Sequence, residues 1–266
     1  MSTTWDSAVP PDLPPITPAG WLRVSARAVC LAVVVFGGLA ILLLIRLVER
    51  PLSGLNRPVT PYVTQGVCRL SLWIMGLDYR TEGQPMTKRG AVVANHSSWL
   101  DIFALNAAKR IYFVSKSEVA GWPGIGWLAR ATGTLFVTRD RRRAAGDVAA
   151  LRDRIALGQT LVFFPEGTST DGRQVLAFKP TLLAPFVGRD LAIQPVTLRY
   201  EAPSGADPAC YGWWGDMEFG AHLLTTLALP RQGRVVVQYH EPVALAGLDD
   251  RKALARHLEE TVRSGL

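Results

Sequence analysis

Residues 91–101 read Ala-Val-Val-Ala-Asn-His-Ser-Ser-Trp-Leu-Asp. The uncharged run Ala91 to Ala94 has the length and composition of a short buried strand, and Ile102, Phe103 and Leu105 then open a helical pattern. A strand that passes through a polar turn into a helix is the repeating unit of an α/β sheet. In such sheets ligands gather outside the carboxyl ends of the strands, so His96 falls where a reactive group is useful. Asp101 is near enough in sequence to fold back on it. A carboxylate that holds one imidazole nitrogen as N–H leaves the other free to accept a proton, and it stabilises the imidazolium that forms. Taken alone, the segment also permits a plainer reading, in which Asp101 caps the next helix and His96 is a loop residue.

Working outward, similar apolar runs recur at Ile111 to Val114, Leu135 to Val137, Leu161 to Phe164, Leu191 to Leu198 and Val235 to Tyr239. Ala144 to Leu157 and Asp249 to Val262 have helical periodicity between and after them. The alternation predicts an α/β fold, a sheet flanked by helices, over residues 90–266.

The N-terminal part differs. Residues 1–20 carry Pro10, Pro11, Pro14, Pro15 and Pro18 among small polar residues and are expected to be a tail that cannot fold alone. Within 21–50, the stretch Ala28 to Ile45 lacks any charge, and at about 1.5 Å per residue it just reaches across a hydrocarbon core, which predicts a membrane anchor helix. Gly37 and Gly38 leave a re-entrant arrangement open. Arg46, Glu49 and Arg50 follow the run where a secretory signal would have a small-residue cleavage site. Arg23 and Arg27 precede it, and with Arg57 the basic residues lean slightly toward a cytoplasmic C-terminal side. Residues 51–89 are expected to form an amphipathic helical connector, since Val63, Val67, Leu70, Ile74 and Leu77 make one apolar stripe.

Of the 266 residues, 48% are hydrophobic and 19% charged, with the apolar excess near the N-terminus, which points to a membrane. The formal charge of +7 suits anionic headgroups or phosphorylated ligands better than nucleic acid, for which no recognised binding motif is present. Cys30, Cys68 and Cys210 are widely separated and suggest neither disulfides nor zinc. His96, His222, His240 and His257 lack the close spacing of a helical metal pair, so no metal is expected.

Two later segments share the polar chemistry of the first. Gly133-Thr-Leu-Phe-Val-Thr-Arg139 ends in a guanidinium at the start of a basic stretch, and the plain alternative for Arg139 is a solvated or membrane-facing patch with Arg141, Arg142 and Arg143. Phe164-Pro-Glu-Gly-Thr-Ser169 follows an apolar strand, and N–H groups in such a turn can hold an anion or an oxyanion. The plain alternative is a Pro-Gly turn.

In order and spacing, these three segments resemble the first three motifs of the lysophosphatidic-acid acyltransferase family, over about residues 90–200. The resemblance implies a glycerolipid-acyltransferase-like sheet. It also implies that His96 is the general base, that Asp101 orients it, and that Arg139, Glu166, Gly167 and Thr168 help hold the acceptor. The implied reaction moves a fatty acyl group from acyl-CoA or acyl-carrier protein to a lysolipid hydroxyl, with no cofactor. An alcohol needs a base during attack, worth typically 10²–10⁴-fold, whereas a thioester already has a good leaving group. Ser97 and Ser98 therefore need not be acylated, and the chain lacks a Gly-x-Ser-x-Gly elbow. Ile193-Gln-Pro-Val196 matches a fourth motif loosely and reads better as a core strand with an edge proline.

One position departs from the pattern. Ser169 stands where many phosphatidate-forming members have arginine, and Arg173 and Lys179 follow closely. Lys116 to Pro123 and Trp213 to Met217 look similar to a bacterial subgroup in which both lysophosphatidate and lyso-ornithine lipid occur as acceptors. The expected acceptor is 1-acylglycerol-3-phosphate, giving phosphatidic acid, with lyso-ornithine lipid as the alternative and a lipid hydrolase or a silent lipid-binding protein as rivals. The expected location is the bacterial inner membrane, with the catalytic domain on the cytoplasmic side.

Overall fold

In the computed structural model, residues 5–11, 14–138 and 144–266 are described. Strand β2 (Gly90–Ala94) is buried along its whole length, as a strand of small apolar residues covered on both faces must be. It pairs in parallel with β5 (Leu161–Phe163) on one side and β6 (Ala192–Glu201) on the other. Beyond β5 lie β3 (Tyr112–Lys116) and β4 (Leu135–Val137), both parallel to it in turn. Beyond β6 the direction reverses: β7 (Arg234–Tyr239) is antiparallel to β6, and β1 (Asp78–Glu82) runs parallel to β7. A short β8 (Val243–Ala244) pairs with the start of β6, completing an eight-stranded sheet in the order β1-β7-β6-β2-β5-β3-β4.

The period-two alternation of β2 feeds two cores. Ala91 and Val93 pack with Leu254, Leu258 and Val262 of α7 (Arg251–Arg263), while Val92 and Ala94 pack with Ala104 and Leu105 of α3 (Leu100–Ala108). Helix α7 starts where Asp250 accepts the N–H groups of Lys252 and Ala253 at 2.7 and 3.1 Å. Between β4 and β5 runs α5 (Ala144–Ala156), as its periodicity predicts.

The stretch 51–89 is not helical throughout. Helix α2 (Thr60–Met75) carries the apolar stripe, but Asp78–Glu82 forms β1 at the sheet edge. Edge strands are blunted by charge, so Asp78, Arg80 and Glu82 gave no apolar alternation to read. Pro195, expected at an edge, lies in β6 within the sheet. It is accommodated because Ala192 and Ile193 pair with β8 whereas pairing with β7 starts at Val196; at the proline only its carbonyl is engaged on that side, by the His240 N–H at 3.1 Å, and its missing N–H is not needed.

Helix α1 (Pro18–Ser53) begins where the Thr17 hydroxyl accepts the Gly20 N–H, and it includes the uncharged run. It is long and apolar enough to cross a membrane, with a mean hydropathy of 3.0 over its best window, of which only 11% is buried. Val33, Phe36, Leu44 and Leu47 face outward, which suggests membrane association. Its other side is fastened to the domain. Near its start Arg23 and Arg27 donate to the Ala228, Leu227 and Leu229 carbonyls at the end of α6 (Phe219–Ala228), satisfying acceptors that a helix terminus leaves free. Near its end Glu49 accepts the Val59 and Thr60 N–H groups at the start of α2 at 2.8 and 3.1 Å. Between them a Cβ at Gly38 would collide with the Val67 side chain, so Val67 of α2 packs directly on the backbone of α1.

The expected tail is also held in part. The Trp5 ring lies 6.0 Å from Trp214, whose indole N–H donates to the Ala8 carbonyl at 3.2 Å. Pro18, Ala19 and Gly20 belong to α1.

Candidate active site

The turn after β2 is fixed from both sides. The Asn95 amide donates to the Leu198 carbonyl and accepts the Leu198 N–H, at 2.9 and 2.7 Å, which ties the turn to β6. The backbone N–H of His96 donates to Glu166 Oε1 at 2.7 Å, and its carbonyl accepts the Thr170 N–H at 2.9 Å, which ties it to the segment after β5. His96 thus hangs between two parallel strands, at their carboxyl ends.

Asp101, fully buried in the first turn of α3, points back at it. One oxygen, Oδ2, meets His96 Nδ1 at 2.7 Å and accepts the N–H groups of Ser97 and Ser98 at 2.9 and 3.0 Å. The other, Oδ1, accepts the Tyr200 hydroxyl at 2.8 Å. A carboxylate that receives every one of these bonds is ionised and acceptor-only, so Nδ1 carries the imidazole proton and Nε2 keeps its lone pair. Asp101 does not cap α3, which begins after Trp99 without a side-chain cap; its carboxylate instead fastens the turn before the helix and holds the histidine. The His96 ring stacks on Phe164 with centroids 4.1 Å apart and planes 11° apart, which fixes its plane.

Glu166 takes a different place from a headgroup ligand. It is buried, and its oxygens accept the N–H groups of His96 and Leu176, each at 2.7 Å. It braces the backbone beneath the base. Burial outweighs those two N–H donors and pushes its carboxyl up to about 8. Gly167 turns the chain at φ +75°, where a Cβ would fall on the Lys179 ammonium. The Thr168 hydroxyl accepts the Trp5 N–H at 3.2 Å. Arg139 lies outside the described residues, so five of the six residues singled out from the motifs are placed: His96, Asp101, Glu166, Gly167 and Thr168 gather at the ends of β2 and β5. Tyr200, near the far end of β6, joins Asp101 from a position no local pattern marked.

Beside His96 opens a cavity of about 380 Å³. Its walls are mostly apolar side chains from the two N-terminal helices and the sheet domain together, including Leu42 of α1, Val63 of α2, Phe103 of α3 and Leu128 of α4 (Ile125–Thr132). Trp99 at its rim donates its indole N–H to His222 Nδ1 at 3.0 Å. Burial holds His222 down at about 4, so it stays neutral and accepts that bond.

A histidine held by a buried carboxylate and opening on an apolar cavity of this size is an arrangement that can activate a hydroxyl beside a hydrocarbon chain. Comparison with known proteins specifies the class. The acyltransferase family model matches residues 77–199. The chain is 54% identical over 261 residues, 97% of its length and 94% of the relative's, to the lyso-ornithine lipid O-acyltransferase of Rhodobacter capsulatus. It is 38% identical over 193 residues, 71% of its length and 72% of the relative's, to the enzyme of that name from Pseudomonas aeruginosa. The crystal structure of the 1-acyl-sn-glycerophosphate acyltransferase from Thermotoga maritima shares the fold, with a TM-score of 0.66 over 92% of this chain and 94% of that one at 22% identity. The chain belongs to the acyltransferase family, and it is an acyltransferase of the lysolipid-acylating kind.

Proposed function

We propose that this chain acylates the free hydroxyl of lyso-ornithine lipid, forming ornithine lipid. The observation that carries the reading is the 54% identity to the Rhodobacter capsulatus enzyme across nearly the whole of both chains. The departure at Ser169 agrees with it. Lysophosphatidate, the acceptor first expected from the motifs, becomes the second reading, favoured by the intact Glu166-Gly167-Thr168 turn.

Acyl-carrier protein or acyl-CoA presents the thioester, and the acyl chain occupies the cavity beside His96. As the acceptor oxygen attacks the thioester carbonyl, His96 Nε2 takes its proton while Asp101 holds the imidazolium. The intermediate collapses by breaking the carbon–sulfur bond, and the departing sulfur receives the proton from His96. Asp101 accepts hydrogen bonds and no proton throughout. Acceptor-side contacts come from Gly167 and Thr168, with Arg139 in the role its motif implies.

Both flanks of the apolar run of α1 are fastened to the same domain, through Arg27 and Glu49. They lie about 33 Å apart at about 1.5 Å per residue. The domain therefore rests against the bilayer along the helix, with Trp73 of α2 and Trp127 of α4 also exposed on its surface. The arginines at both ends favour the cytoplasmic face of the bacterial inner membrane.

The test mixes detergent-purified protein with acyl-carrier-protein or acyl-CoA thioesters and each lysolipid. Diacylated ornithine lipid is the expected product. Phosphatidate alone supports the second reading, and free fatty acid with neither lipid product overturns both in favour of a hydrolase.

A further inference from the structure

We propose that Lys179 is the cation that binds the anionic part of the acceptor headgroup, a phosphate or a carboxylate. The proposal deepens the acyl-transfer reading above and rests on it. Ser169 brings no charge to the turn after β5, and Glu166 is turned inward with both oxygens taken by backbone N–H groups. The turn nevertheless carries a positive charge. Lys179 reaches back so far that its ammonium occupies the space a Cβ on Gly167 would need, and its backbone N–H donates to the Pro165 carbonyl at 3.0 Å, which holds it against that turn. Phe164, at the other end of the turn, is the ring on which His96 stacks. The ammonium is thus attached to the same few residues that support the base.

This residue is exposed, and among the described residues no carboxylate pairs with its ammonium. On the packed α7, Glu259 accepts the Phe178 N–H at 3.1 Å and pairs with Arg263 at 2.5 Å. Both candidate acceptors bring an anion: lysophosphatidate a phosphate monoester and lyso-ornithine lipid a free carboxylate. An ammonium is a point charge that takes either. Gly167 is required for the arrangement, because any side chain there would displace the lysine.

The experiment measures initial rates for the parent, Lys179→Gln and Lys179→Arg against lyso-ornithine lipid, its carboxamide analogue and lysophosphatidate, with melting temperatures as a check on folding. Loss of a charged hydrogen bond is expected to raise the KM for the preferred acceptor on the order of tenfold in Lys179→Gln, with the donor KM and the melting temperature unchanged and most affinity kept in Lys179→Arg. The carboxamide should cost the parent as much as the substitution does, and the two losses should not add; a loss confined to lysophosphatidate instead makes the bound anion a phosphate. An unchanged KM in Lys179→Gln, or equal losses with the charged and neutral acceptors, overturns the proposal while leaving the acyltransferase reading intact. No transfer by the parent to any acceptor overturns both.

Discussion

Tyr200 donates its hydroxyl to Asp101 at 2.8 Å across a sequence separation of 99 residues, linking β6 to the first turn of α3. Burial raises the phenol well above its ordinary range, so it is present as a donor. Tyr200→Phe removes one of the bonds that hold the carboxylate in place. A hydrogen bond to a charged group is worth about 1.5–3 kcal/mol, so the melting temperature should fall, and kcat should drop several-fold with KM for both substrates unchanged. A variant with parental kcat and stability would show that the three N–H groups on Oδ2 suffice.

Removing the base and removing its orienter should have different physical signatures. His96→Ala should lose about 10²–10⁴-fold in rate with a smaller fall in melting temperature than Asp101→Asn, because it removes one bond to Asp101 and the stacking on Phe164 from a side chain that keeps some exposure. Asp101→Asn should lose activity comparably and also unfold at lower temperature. An amide offers one acceptor where the carboxylate has two, and it turns a donor toward groups that already donate. Product formation by His96→Ala at the parental rate would falsify the assignment of the base.

Glu166 gives the protein a pH dependence of stability. Its folded-state value of about 8 lies above the ordinary 4.5, so the folded state binds the proton more tightly than the unfolded state. The contribution is fully present below about 4.5 and is lost as pH rises through about 8. Melting temperature should therefore decline from pH 5 to pH 9 in the parent, and the decline should flatten in Glu166→Gln, whose amide does not titrate. Parallel profiles for the two proteins would exclude the assignment.

If the cavity beside His96 houses the acyl chain, filling it should shorten the chain accepted. Leu128→Trp adds bulk to a wall contributed by α4. The expected result is a shift of donor preference toward shorter acyl groups, with rates on short donors retained. An equal loss on all chain lengths would place the acyl group elsewhere.

The contact of Trp5 with Thr168 and Trp214 predicts that removal of residues 2–11 uncovers Trp214, which is 2% exposed. Tryptophan emission should move to longer wavelength, and stability should fall by about 1–3 kcal/mol, in keeping with the burial of an aromatic side chain. An unchanged spectrum would mean that the segment does not hold this position in solution.

Much of the fold was legible because its central strands are buried on both faces. Ala91 to Ala94 and Leu161 to Phe163 had to be short and apolar, and the sequence displays that directly. The exposed edge strand Asp78–Glu82 had no such obligation and went unseen. The apolar run of α1 could be read from its lack of charge, whereas its fastening to α6 and α2 could not, since arginines donating to distant carbonyls leave no periodic trace.

The site divides the same way. Residues 91–101 by themselves determined a strand, a turn, a helix and a histidine with a carboxylate within reach, because those relations are local and backbone geometry fixes them. Only the tertiary structure decided that Asp101 is also held by Tyr200, that Glu166 braces the His96 backbone, and that Lys179 covers Gly167. These contacts join residues that become neighbours when β2, β5 and β6 pair, and the register of a sheet is set by the packing of its whole core.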